Sequence, residues 1–278
     1  MNFSDCQKNY GYTEVEWRYA DLTDAEISFH QTDEIEKEAD NALKTYIDRI
    51  SNRLADKILE LLRDPDCKEG GILGFLHGKR EIEDCVNQIK RKLGNRKDIR
   101  VFPLYAELSD NEQDLAKNEF AESDKVMLNG ELVYPRRVVI ATNIAETSIT
   151  VPDIVYVIDT GLIKQSEWNP LTCRQELRTR FHSKDGCKQR WGRAGRVQKG
   201  FVYKFYTKEQ FIKYFPHHTS PEIERECIDD VVFKSKASGI EDIDPKKFSW
   251  LQRPNPQELT RALNVFNERK LVDEKITI

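Results

Sequence analysis

The sequence predicts an α/β fold, a parallel sheet with flanking helices, followed by a small, mainly helical unit. Two observations carry this. From about Gly71, short apolar runs alternate with amphipathic helical patterns, as strands do when helices cover both faces of a parallel sheet. Beyond Pro221 the runs give way to PEIERECIDDVVFKSKASGI and PNPQELTRALNVFNERKLVDEKITI, mostly helical with a final short strand. At 278 residues the chain has material for one large or two modest domains.

The elements follow in order. TEVEWRYA (13–20) alternates like a strand, and a long amphipathic helix runs from about Asp33 to Leu62, with Ile50, Leu54, Ile58 and Leu61 continuing its apolar stripe. GILGFL (71–76) precedes the helical KREIEDCVNQIKRKL, which Gly94 is suited to end. RVFPLY (100–105) precedes SDNEQDLAKNEFA, where Ser109 and Asp110 suit the cap. RVVIAT (137–142), DIVYVIDT (153–160) and GFVYKFYT (200–207) complete the strands, and KEQFIKYF follows the last.

Composition bounds the function. No apolar run approaches the roughly 20 residues that cross a bilayer, and the start, MNFSDCQKNYGYTE, lacks a secretory pattern. Six scattered cysteines without a CxxC pair argue against a zinc site or a disulfide framework, so no metal site and an intracellular, reducing compartment are expected. Charge is uneven: residues 1–70 hold 17 acidic and 9 basic side chains, whereas residues 161–215 hold 13 basic and 4 acidic. The basic segment is the expected anion-binding face.

GFLHGKRE imitates a phosphate loop, but its glycines, Gly74 and Gly78, stand too close and Arg80 follows Lys79 where a Ser or Thr would hold magnesium. TDEIE and VDEKI fail as magnesium-holding boxes. The chain is therefore not expected to hydrolyse a nucleotide alone. KQRWGRAGR (188–196) is built to grip an anion held elsewhere. Gln189, Arg193 and Arg196 recur at spacings of four and three, which a helix would place on one face. Arginine binds phosphate oxygens bidentately and can neutralise charge on a transferring phosphoryl group.

QRWGRAGR resembles motif VI of the DEAH-box RNA helicases, and RVVIATNIAETSITV (137–151) resembles their motif V almost letter for letter. GILGFLHGKREIE is similar to motif IV, PLYAELSDNEQ to the segment that follows it, and VYVIDTGLIKQSEWNP to the stretch entering the family's β-hairpin. The resemblance covers roughly residues 71–215 and continues more weakly beyond. It implies a second RecA-like lobe over residues 1–218 and the start of a winged-helix domain over 219–278, the C-terminal part of an ATP-dependent RNA helicase that needs its first lobe.

Carried over residue by residue, the resemblance makes Gln189, Arg193 and Arg196 contacts to ATP phosphates, with Ser148 sensing the nucleotide state and Thr150 also at the nucleotide. Phe120 would stack on adenine without reading its identity, although it also suits the apolar face of a helix. Gly78, Thr142 and Asn143 would contact the backbone of single-stranded RNA; Thr142 and Asn143 could instead merely cap a strand. Residues 162–182 would form a hairpin that separates bases, with a surface loop as the other reading. The implied partners are RNA, the first RecA-like lobe and a glycine-rich activator. The implied cofactor is ATP, with Mg2+ held by the first lobe.

Three departures stand out: His77 replaces a common Thr, Gly186 and Lys188 enter SKDGCKQR and are expected to loosen the following helix, and Trp191 takes a variable position, facing solvent or lining the cleft. A non-catalytic RNA-binding module is the alternative function, against which the retained arginines speak. A viral or DNA helicase is disfavoured by ATNIAETSIT.

Overall fold

A computed structural model describes residues 15–19, 36–147, 151–169, 172–196, 198–238 and 249–268, with backbone alone for 15–19, 36–48, 147 and 266–268. These residues fall into two compact units. One lies within Met1–Ile163 and Arg180–His218, the other within Lys164–Thr179 and Thr219–Ile278.

The first unit opens with β1 (Val15–Tyr19) and α1 (Glu36–Arg63), then alternates β2 (Gly71–Phe75), α2 (Lys79–Leu93), β3 (Ile99–Leu104) and α3 (Asp110–Lys117). A small hairpin of β4 (Val126–Leu128) and β5 (Glu131–Val133) leads to β6 (Arg136–Ala141), the short α4 (Ile144–Thr147) and β7 (Ile154–Asp159). After β8 (Leu162–Asn169) and β9 (Arg174–Phe181) come α5 (Lys184–Trp191), β10 (Gly200–Lys204) and α6 (Lys208–Tyr214). Six strands pair in the order β1-β10-β7-β2-β6-β3, every pair parallel. This is the expected RecA-like α/β fold.

Burial explains why the strands read as unbroken apolar runs. All of β2 and β7 is buried, because neighbouring residues feed opposite cores. On one side Ile72, Val138 and Ile158 pack with Leu54 and Ile58 of α1 and with Ile82 and Ile89 of α2. Leu73, Val139 and Val157 pack on the other, with Ala145, Cys187 and Trp191 of α4 and α5. Local caps agree with the sequence: Ser109 and Glu112 form a reciprocal capping box on α3, and Gly94 ends α2.

Hairpin β4–β5 was not expected. Its signal was present in Asn129-Gly130, both at positive φ (51° and 91°), the dipeptide that tight two-residue hairpin turns require. The second unit gathers β8–β9 with α7 (Glu222–Arg225), α8 (Asp229–Ala237) and α9 (Pro256–Glu268). Its small core joins Ile228, Val232, Leu259 and Ala262, and Arg225 Nη1 donates to Ser166 O of β8 at 2.8 Å. The expected final strand lies outside the described residues. No helix among the described residues is long and apolar enough to cross a membrane.

Candidate functional site

Most of the described residues singled out in the sequence lie at opposite ends of one sheet. In a parallel sheet all carboxyl ends share an edge, and Gly78, Thr142 and Asn143 sit there. Thr142 N donates to Leu104 O at the end of β3, and Leu76 N to Ala141 O at the end of β6 (3.0 and 2.9 Å). Asn143 is exposed and Thr142 half-buried, while Gly78 is buried as the N-cap of α2. No side chain caps that helix, so its first N–H groups suit a phosphate oxygen. His77 is buried beside them.

Phe120, Arg193 and Arg196 lie at the amino edge. Phe120 follows α3 instead of riding on its apolar face, because the helix ends at Lys117 with Asn118 as C-cap in extended geometry. Its ring stands 6.4 Å from Phe102 and 4.2 Å from the Arg137 guanidinium, between centroids and from Cζ to centroid respectively. Arg137, at the start of β6, is fixed by donating to Leu115 O, Ala116 O and Asn118 O at the end of α3. Phe120 stays half-buried, a fixed aromatic ring with part of its surface open. Ser148 and Thr150 lie outside the described residues.

The motif VI helix runs from one edge to the other. Ser183 Oγ accepts from Gly186 N at 3.1 Å and starts α5, so Gly186 does not loosen the first turn. Gln189 is exposed on the helix, but α5 stops at Trp191 and the expected single face ends with it. The next bonds, Arg193 N to Arg190 O and Ala194 N to Trp191 O, tighten the turn to i→i−3. Gly195, at φ 74°, then reverses the chain. Arg193 is half-buried and Arg196 exposed in this turn. A Cβ on Gly200, the first residue of β10, would strike Gly195 and Ala194, so close backbone packing holds the arginine turn against the sheet's amino edge.

A buried polar cluster ties these parts together. Arg190 is fully buried; its Nε donates to Glu146 Oε1 at 2.7 Å and its Nη1 to Asp159 Oδ1 at 2.9 Å. His182 Nε2 meets Glu146 Oε2 at 3.0 Å. Asp159 also accepts from Gly161 N, from Trp191 Nε1 at 2.9 Å and from Tyr206 OH at 2.8 Å. Trp191 is thus buried, neither facing solvent nor lining a cleft, because its indole N–H needs this carboxylate. Burial alone would raise the Asp159 carboxyl, but the Arg190 charge and the donated hydrogen bonds override it and hold Asp159 below the usual carboxylate range.

Residues 54–198 match the helicase conserved C-terminal domain. The chain belongs to that family. Curated relatives include the probable ATP-dependent RNA helicase DHX35 of Pongo abelii, 35% identical over 203 residues, and that of Homo sapiens, 34% identical over the same length. Each alignment covers 71% of this chain and 26% and 27% of the relatives, so the chain spans about a quarter of their length. The crystal structure of the Escherichia coli DEAH/RHA helicase HrpB superposes with a TM-score of 0.71 at 25% identity, over 100% of this chain and 32% of that one.

Within this helicase domain, sequence reasoning passed over Arg190, Glu146, Asp159 and His182, which hold the site rather than line it. One signal existed: Asp159 closes the otherwise apolar run IVYVID, and a carboxylate there needs buried partners. Nothing local paired Arg190 with Glu146.

Proposed function

We infer that this helicase domain is the second RecA-like lobe, residues 1–218, of a DEAH-box ATP-dependent RNA helicase, with residues 219–278 starting a winged-helix domain. Its carboxyl edge takes single-stranded RNA and its amino edge completes an ATP site begun by the first lobe. The observation that carries this reading is the motif VI turn. Two arginines stand at the sheet's amino edge, just past a helix that carries an exposed glutamine, on a sequence without a phosphate loop of its own.

Gln189, Arg193 and Arg196 offer hydrogen-bond donors and two positive charges, which suit a triphosphate. None is a carboxylate, so the Mg2+ that accompanies ATP would take its ligands from the first lobe. During phosphoryl transfer the arginines would neutralise charge spreading onto the transferring oxygens, and Gln189 would orient the attacking water. Ser148 would sense the nucleotide, Thr150 would bind it, and Phe120 would stack on its base. Asn143, Thr142 and the N–H groups beside Gly78 would bind the RNA backbone, while the 162–182 hairpin would part paired strands. A glycine-rich activator is a further partner, and the compartment would be intracellular.

The relatives' names, ATP-dependent RNA helicases, support ATP and RNA as the ligands. The test is RNA-dependent ATP hydrolysis by this chain alone, by the first lobe alone and by the two together. Hydrolysis confined to the mixture is expected; turnover by this chain alone contradicts the split site.

A further inference from the structure

Glu146 has no place among the residues expected to touch RNA or nucleotide, yet it stands between the two sets. Its backbone N donates to Asn143 O at 3.0 Å, and Ala145 N donates to Thr142 O at 3.3 Å. The carboxylate is therefore built on the same turn as the RNA-side pair. That carboxylate divides between two residues bracketing α5. Oε1 accepts from Arg190 Nε at 2.7 Å, in the last turn, and Oε2 meets His182 Nε2 at 3.0 Å, just before the Ser183 cap.

Three further facts favour a function for this bridge. His182 Nδ1 and Arg190 Nη2 are buried without a hydrogen-bond partner among the described residues, a penalty that folded proteins seldom keep without reason. Gly186 leaves the space that the His182 ring occupies, since a Cβ there would lie 2.1 Å from His182 Cε1 and Nε2. Among the described residues, α4 also packs toward α5 through apolar side chains, Ala145 and Ile144 in one cluster with Cys187 and Trp191. Apolar contacts of that kind carry no directional restraint, whereas a bifurcated carboxylate fixes both distance and angle.

The geometry points to Glu146 as a positioning residue that makes the Thr142–Asn143 turn and α5 one rigid body. A shift of the RNA-side turn is thereby carried along α5 to Gln189, Arg193 and Arg196 at the opposite edge of the sheet. The inference rests on the helicase-lobe reading and adds to it the element through which RNA binding is felt at the phosphate contacts. In a linkage description, Glu146 carries coupling free energy between two ligands and touches neither.

The experiment compares RNA-free and RNA-saturated ATP hydrolysis by this chain combined with a DEAH-box first lobe, using an oligouridylate as the RNA. Wild type is set beside Glu146→Ala, Glu146→Gln and His182→Ala. In Glu146→Ala the RNA-free rate is expected to stay within about threefold of wild type while RNA stimulation falls by at least about fivefold. Glu146→Gln restores stimulation, because the amide oxygen still accepts from Arg190 and its NH2 group can donate to His182 Nε2. His182→Ala, which breaks one arm and leaves Arg190 paired, lowers the stimulation ratio even if Glu146→Ala does not fold. Full stimulation in Glu146→Ala, or in His182→Ala, overturns the inference. So does an equal fall of the RNA-free and RNA-saturated rates, which marks a merely structural defect. A wild-type mixture without RNA stimulation removes the helicase-lobe reading and this inference with it, and the wild-type measurement alone reveals that case.

Discussion

Arg190 and Glu146, 44 positions apart in sequence, meet at 2.7 Å with the guanidinium fully buried. One belongs to QRWGRAGR and the other to NIAETSIT, so the two stretches that most resemble helicase motifs are bonded to each other inside the fold. Asp159 completes the arrangement from the end of a central strand. Removing Arg190 would leave two buried carboxylates uncompensated, and removing the Asp159 carboxylate would strand the buried donors of Trp191, Tyr206 and Arg190 Nη1; either is far more harmful than losing a surface pair.

Asp159→Asn is expected to destabilise the first unit by about 3–5 kcal/mol, measured by chemical denaturation at neutral pH. The pH dependence has a definite sign. The folded-state value of Asp159 lies below its ordinary 3.8, so its stabilisation is complete above that value and is lost as pH falls through the folded value. Wild type should therefore lose stability below about pH 4 more steeply than Asp159→Asn. Parallel curves would contradict the assignment.

Gly186→Ala should cost about 1–3 kcal/mol, since the new methyl overlaps the His182 ring. The loss should shrink in the Gly186→Ala/His182→Ala double variant, where the ring is gone. A double-mutant cycle read from denaturation midpoints should show coupling of about 1 kcal/mol or more; simple additivity would mean the two residues do not share this space.

Asn143→Ala should weaken binding of oligouridylate and oligoadenylate by the same factor, roughly fivefold for one lost hydrogen bond. Fluorescence anisotropy across a salt series should give a linear fall of log affinity with log salt. Loss for one sequence alone would indicate base reading instead of backbone contact.

The sheet was legible because five of its strands are short apolar runs and the sixth, β1, an alternation, several of them followed by amphipathic helices, and each falls on an observed strand. Burial on both faces is the physical reason the pattern survives in the sequence. The motif VI arginines were legible as residues but not as geometry. Spacing placed Gln189, Arg193 and Arg196 on one helical face, whereas two glycines, Gly192 at the C-cap and Gly195 at positive φ, end the helix and turn the chain. Phe120 was misplaced for the same reason, as helix ends depend on caps such as Arg137, whose partners lie about 20 positions away in sequence. The buried cluster was not legible, since Glu146, Asp159, His182 and Arg190 come from four separate segments. Ion pairs between distant segments leave no periodicity to read.

The turn after α5 is proposed to complete an ATP site across a cleft. This is tested most directly by RNA-stimulated ATP hydrolysis of this chain combined with the first lobe, comparing wild type with Arg193→Ala and Arg196→Ala. Either substitution is expected to lower turnover by at least about a hundredfold while RNA binding by the chain is retained. Undiminished hydrolysis with both arginines replaced would contradict it and leave the basic turn as an RNA-binding surface.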